Sequence, residues 1–450
     1  MAAMFRLFLD DWRHAPTQRR VWALTAPMLL SNLSVPLVAL VDTAVIGHLS
    51  HAHQLGAVAV GSSLYTLLLW CCGFLRMGTT GFAAQASGRG DGAALRQLLL
   101  QAGLLSLVLA VLLGLLALPL SGAALGLMEP SAALDELARD YFHIRLFGLP
   151  AMLASQALIG WFLGAQNARA ALAILLTINL TNLLLDLWFV LGLEWGVAGA
   201  ARASVIAEWS GALLGLALCR GELVRHAGAF RLAPLRRWRQ WRPLLAVNRD
   251  ILIRSLVLQG VFFLVTVQGA RLGDVTVAAN ALLLNGLLLT AHALDGLAHA
   301  VEALCGHAIG ARDRQALRRS LVVAGGWSLL GSLGFALLFL LGGEHFLRLQ
   351  SDMPEVLATA RDYLPWLALL PLLTVWSYLL DGLFIGATRA REMRDAMLLA
   401  ALLALPVGWL VQGWGNHGLW LAFCLFMLLR SLGMALLAWR LWPRVIEPDR

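Results

Sequence analysis

Lysine is absent from this 450-residue chain; all 34 of its Lys-or-Arg positions are arginine. Charge of either sign is scarce, with 13% of residues charged and 60% hydrophobic, and mean hydropathy is +0.75. That balance excludes an ordinary soluble globular protein, in which about a quarter of residues are charged. It also overrides the three soluble domains that length alone suggests, because apolar runs of about 20 residues recur from end to end. Cysteine is rare as well. Cys71, Cys72, Cys219, Cys305 and Cys424 lie in or at the ends of apolar runs without a C-x-x-C pair, which reads as packing and not as disulfides or metal ligands. A net charge of +8 and a pI near 10 would suit nucleic acid. The arginines, however, cluster between apolar runs, where they orient helices, so no nucleic-acid partner is expected.

What is present is an all-α membrane protein of about twelve spans. The apolar runs fall near 21–47, 55–82, 97–118, 139–164, 171–193, 197–219, 249–272, 276–308, 318–343, 355–386, 394–412 and 417–441. Alternate breaks carry the charge: "GRGDGAALR", "QNAR", "APLRRWRQWR", "GARDRQALRR" and "ATRAREMR". By the positive-inside rule both termini and the central linker are cytoplasmic. The amphipathic start, "MAAMFRLFLDDWRHAPTQRR", precedes a run too long for a cleaved signal peptide and is expected to stay on that face.

Shifting the chain on itself by 222 residues superposes its halves. "SQALIGWFLGAQNAR" lies over "SYLLDGLFIGATRAR", and Gly88 falls over Gly310, Asp91 over Asp313 and Gly196 over Gly418. The expected division is an N-lobe at 1–225, a basic linker at 226–248 and a C-lobe at 249–450. With six spans per copy, both copies enter from one side, as in transporters that alternate access by rocking two lobes. The G-x-x-x-G pairs Gly160/Gly164 and Gly382/Gly386 read as helix packing.

Duplication supplies an internal control. At the same offset Asp42 faces Leu264, Asn182 faces Ala404, Asp186 faces Gly408 and Ser204 faces Phe426. Asn179, Asn182 and Asp186 are spaced i, i+3, i+7 on one helix face. A carboxylate in hydrocarbon costs about 3 kcal/mol or more, so such acids normally face an interior and mark an ion or proton route. Two acids sharing a desolvated site do not both ionise easily. The set fits a reversible proton carrier, and its oxygens equally fit Na+ at Asp42, Asn182, Asp186 and Ser204; no other metal and no cofactor is implied. A structural hydrogen-bond network is the plainer reading of the same residues.

The second half has its own polar residues. His292, Asp295, His299 and Glu302 follow one another along the eighth span, and Arg254, Glu302 and Asp381 lie near the charged ends of their spans. The run has no established metal geometry, so Arg254, Asp295, His299, Glu302 and Asp381 read as an ion-pair or gating network, with a direct role in coupling or substrate binding as the rival. The arginines within spans (Arg76, Arg145, Arg202, Arg254, Arg430) mostly lie near span ends, where snorkelling explains them.

"PMLLSNLSVPLVALVDTAVIGHLS", "FLRMGTTGFAAQASGRGD", "GWFLGAQNAR", "GVAGAARASVIAE", "ALDGLAHAVEALCGHAIGARDR" and "LDGLFIGATRAREMRDAM" together resemble the multidrug and toxic compound extrusion (MATE) transporters, in the DinF branch. The resemblance runs from about Pro27 to the last span. It implies a V-shaped pair of six-helix lobes in a bacterial inner membrane, acting as a monomer and exporting cationic or amphipathic organic compounds in exchange for H+ or Na+. It also implies a cation site at Asp42, Asn182, Asp186 and Ser204, with Gln156 where some relatives have asparagine. Pro27 matches a proline at which the first helix bends on protonation. Pro36 adds a second missing backbone donor. The Na+-coupled branch has acids midway along spans seven and ten, and Val257 to Ala270 has none. The rivals are a lipid-linked precursor flippase, which calls for a strongly cationic cavity, and an intramembrane aspartyl hydrolase built on Asp42 and Asp186. Small organic substrates and membrane lipids are the expected partners.

Overall fold

Hydrocarbon offers no partner for backbone N–H and C=O groups, so spanning segments with this composition satisfy them internally as helices. A computed structural model describes residues 9–47, 52–70, 72–128 and 131–446. They form α1 (Ala15–Gly47), α2 (Ala52–Trp70), α3 (Phe74–Gly88), α4 (Gly92–Met128), α5 (Ala132–Leu146), α6 (Leu149–Gly164), α7 (Ala168–Asp186), α8 (Gly196–Arg225), α9 (Trp238–Arg271), α10 (Asp274–Gly310), α11 (Arg314–Arg348), α12 (Pro354–Gly386), α13 (Ala390–Leu410) and α14 (Gly415–Ile446), and no strand occurs among the described residues. Ten spans among these are long and apolar enough to cross a membrane, and the bent pair α5–α6 makes eleven. With α1 the order gives the twelve-helix layout expected. Leu112, Leu115 and Leu116 on α4 are exposed, as lipid-facing residues are.

Three spans depart from straight helix in ways hydropathy does not register, because the residues stay apolar throughout. The second is interrupted between α2 and α3. The fourth turns by 47° between α5 and α6, at Phe147–Gly148, where Pro150 in the first turn of α6 lacks an N–H and favours a fresh helix start. The fifth widens into a π-helix over Leu187–Gly192.

The chain divides into two compact units, Leu30–Leu245 and Ala246–Arg450, with the residues up to Leu29 belonging to the second. This differs from the expected boundaries at 225 and 249. The start of α1 is held to α11 by aromatic and ionic contacts that no periodicity announces. Trp12 and Trp22 pack on Trp327 at centroid distances of 5.7 and 5.1 Å, Trp327 Nε1 donates to Gln18 Oε1 at 2.7 Å, and Arg318 pairs with Asp11 at 2.6 Å. The linker is also shorter than expected, since α9 already begins at Trp238.

The repeat is visible in local geometry. Gln166 and Thr388 have φ of 61° and 56°, and Gly90 and Arg312 have 67° and 57°, each pair 222 residues apart. Asp91 caps α4 and Asp313 caps α11 by accepting from Ala94 N and Ala316 N, both at 2.9 Å. One register changes. The left-handed residues that open the sixth span of each copy are Gly196 and Gly415, with φ of 56° and 58°, so Gly196 corresponds to Gly415 and not to Gly418. The connection is three residues shorter in the second copy, and Ser204 falls over Phe423 instead of Phe426.

The G-x-x-x-G glycines do pack helices. A Cβ at Gly164 would meet Thr80 O at 2.6 Å and Ala83 Cβ at 2.5 Å on α3, and one at Gly386 would meet Glu302 O at 2.6 Å on α10. In the second unit Arg254 of α9 and Arg430 of α14 both donate to Asp381 Oδ2 on α12. Snorkelling therefore does not describe these two arginines, which are 7% and 2% exposed.

Gly164→Ala and Gly386→Ala are each expected to lower stability by about 1–3 kcal/mol through overpacking, whereas Gly103→Ala, with nothing within 4 Å of the new methyl, leaves it unchanged or raises it. Thermal unfolding in detergent checks the order. Asp381→Asn strands two buried cations and is expected to cost about 3–5 kcal/mol, read out as loss of monodisperse protein on size exclusion.

Candidate functional site

The polar residues that distinguish the first half converge where α7 meets α8. Asn167 opens α7, its Oδ1 accepting from Ala170 N at 3.1 Å. Three turns of apolar helix follow before Asn179, Asn182 and Asp186. Asn182 and Asp186 are buried, at 9% and 4% exposure. Asn182 Nδ2 donates to Asp186 Oδ2 at 2.8 Å and to Ser204 Oγ on α8 at 3.3 Å, so one amide ties the carboxylate to the neighbouring helix. The π-helix begins at the residue after Asp186. Such widened turns occur often at functional sites.

Asn179 is a turn further from the carboxylate and makes a different link. Its Nδ2 donates to Ser34 Oγ on α1 at 2.8 Å, and Ser34 Oγ donates to Ser31 O at 2.7 Å. Ser34 is a partner that the sequence reading missed, although its place one turn after Ser31 and two turns before Asp42 in an apolar helix was a signal. Gln156 is half-buried on α6, which packs against both α7 and α8. Asp42 lies in the last third of α1, and its side chain is outside the described residues, as is that of Pro36. The helix runs through Pro27 and Pro36 without interruption.

This arrangement can report a proton. The amide donor on Asp186 Oδ2 suits an ionised carboxylate, and protonation at that oxygen would make it a poorer acceptor and loosen the link from the carboxylate through Asn182 to Ser204. The same oxygens, from a carboxylate, an amide and a hydroxyl, are hard ligands of the kind an alkali cation takes. The second unit has Ala404, Gly408 and Phe423 at the corresponding places, none of which can do either.

Of the second-half residues, Arg254 and Asp381 come together, and Arg430 joins them. Asp295 on α10 lies within electrostatic reach of Arg254. His299 is half-buried and Glu302 buried further along α10. A third cluster went unread in the sequence: Arg145 Nη2 donates to Glu208 Oε1 at 2.9 Å, Tyr65 OH donates to the same carboxylate at 3.3 Å, and the Arg145 guanidinium stacks over the Tyr65 ring at 4.0 Å. Arg145 is thus a third arginine that does not snorkel. A glutamate inside the apolar sixth span was the available signal.

The chain matches the MatE family model over residues 27–188 and 251–410. It is 45% identical to the DNA damage-inducible protein F of Escherichia coli (strain K12), over 95% of this chain and 93% of that one. It is 28% identical to a probable multidrug resistance protein NorM of Xanthomonas axonopodis pv. citri, over 93% of each. In fold it resembles the crystal structure of MATE in the bent conformation, with a TM-score of 0.84 at 18% identity, covering 97% of both chains. A transporter of the MOP superfamily from Pyrococcus furiosus gives 0.82 at 18% identity, covering 96% of this chain and 97% of that one. Family match, full-length similarity to a bacterial relative and shared architecture lead to one conclusion: this chain is a multi-pass membrane transporter of the MATE family.

Proposed function

We propose that the chain is a secondary antiporter that exports organic compounds, cationic or amphipathic, in exchange for inward H+ or Na+ by alternating access. The observation that carries the reading is the buried Asp186, bridged by Asn182 to Ser204, in one copy of a duplicated fold whose other copy has Gly408, Ala404 and Phe423 at the corresponding places. A polar cluster that the shared architecture does not need, placed where a charge is costly, is supported best by a role in ion coupling. Asp42 completes the set in this reading, with Asn179 and Gln156 on its margin. Proton coupling is favoured because Val257 to Ala270 lacks the acid that the Na+-coupled branch carries there, with Na+ at Asp42, Asn182, Asp186 and Ser204 as the alternative. Pro27 serves as the hinge of α1 and Pro36 as a second one. The protein works as a monomer in a bacterial inner membrane, with both termini cytoplasmic.

The flippase alternative calls for cationic groups free to hold a pyrophosphate. Arg254 and Arg430 are engaged by Asp381 and Arg145 by Glu208, which weighs against it. In everted vesicles loaded by a proton gradient, Asp186→Asn and Asp42→Asn are each expected to abolish uptake of a fluorescent cationic dye. Ser204→Ala, which removes one acceptor of the bridge, is expected to reduce uptake about 3- to 10-fold, in line with one hydrogen bond. Full uptake by Asp186→Asn at normal expression would overturn the reading.

A further inference from the structure

The break in the fourth span is held by the helix that also holds Ser204. Glu208 follows Ser204 by four residues on α8 and shares its face. Its carboxylate is 4% exposed and lies against Gly148, where a Cβ would collide with it, and it receives Arg145 Nη2 at 2.9 Å from the last turn of α5. The next residue, Trp209, donates its Nε1 to Phe147 O at 3.0 Å, satisfying a carbonyl at the break. Tyr65 from α2 closes the cluster, its hydroxyl on Glu208 and its ring under Arg145. Two successive residues of α8 therefore grip the two residues at which the fourth span turns.

The duplicated fold does not require this device. Leu367 and Leu370 stand where the first copy has Arg145 and Gly148, Met427 stands over Glu208 in the corrected register, and α12 runs unbroken over Pro354–Gly386. The broken fourth span, its buried ion pair and the Asn182–Asp186–Ser204 cluster all occur in the same copy. A buried pair of this kind is a poor source of net stability, since hydrophobic replacements often do as well, but it fixes geometry sharply because neither charge tolerates losing the other.

We infer that Glu208 and Arg145 are positioning residues that couple the Asn182–Asp186–Ser204 cluster, through α8, to the break in the fourth span. A change at the Ser204 bridge moves α8, and α8 carries the grip on Phe147 and Gly148 with it. The inference rests on the ion-coupling reading of the cluster and adds a mechanical consequence to it.

The test uses spin labels at Glu136→Cys, an exposed site near the start of the bent span, and Arg169→Cys, an exposed site in the first turn of α7 just beyond its end, in full-length protein with its native cysteines replaced, reconstituted in lipid nanodiscs. Asp186→Asn, which mimics the neutral carboxylate, is expected to shift the inter-label distance. In the Asp186→Asn/Glu208→Gln double variant the shift is expected to vanish, and in Asp186→Asn/Arg145→Lys, which keeps the charge pair, it is expected to return. Should Glu208→Gln fail to fold, Trp209→Phe, at a partly exposed site, removes only the bond to Phe147 and is expected to diminish the same shift. A shift that persists unchanged with Glu208→Gln or with Trp209→Phe, or no shift in Asp186→Asn while that variant has lost transport, would overturn the coupling and leave the ion site standing. An Asp186→Asn protein with full transport would remove the ion-coupling reading itself.

Discussion

A polar side chain inside hydrocarbon must find its partner within the protein, and most of the unusual features of this chain follow from that constraint. Among the charged residues buried in apolar helices, Arg145 is paired with Glu208, Arg254 and Arg430 with Asp381, and Asp186 is bonded to Asn182. The first two groups join charge to charge and fix helices in place. The third joins a carboxylate to an amide and, through it, to a hydroxyl, the oxygen set to which the proposed mechanism assigns the coupling ion. That oxygen set, more than burial itself, marks out the candidate coupling site.

The fold was legible because membrane helices follow from apolar length and duplicated helices follow from repeated glycines. Gly164 and Gly386 could be read as close-packing residues from spacing alone, and their contacts with α3 and α10 bear that out. The shared face of Asn182 and Asp186 was legible from helical periodicity, and Ser204 from its apolar counterpart in the second half of the repeat. What was not legible required distance information. The breaks at Phe147–Gly148 and between α2 and α3 leave hydropathy untouched, and the three-residue contraction before Gly415 is hidden by the nearby Gly418. Arg145 and Arg430 were read as snorkelling because a partner on another span, 63 and 49 positions away, leaves no mark in local sequence.

The first helix carries the most suggestive topology. It begins in the unit formed by Ala246–Arg450 and ends in the unit formed by Leu30–Leu245, and the division falls just after Pro27. Trp22 on one side packs against Trp327, and Ser34 on the other accepts from Asn179. A proline removes one backbone hydrogen bond at the place where a single helix changes allegiance.

The central claim is that an ion gradient acting on the Leu30–Leu245 unit drives export. Its most direct test is efflux of a fluorescent cationic dye from proteoliposomes of the purified protein, with a pH gradient and a Na+ gradient imposed separately at zero membrane potential. The account predicts efflux under the pH gradient alone. Efflux under Na+ alone would keep the site and change the ion, and the absence of gradient-dependent efflux under both would contradict the account.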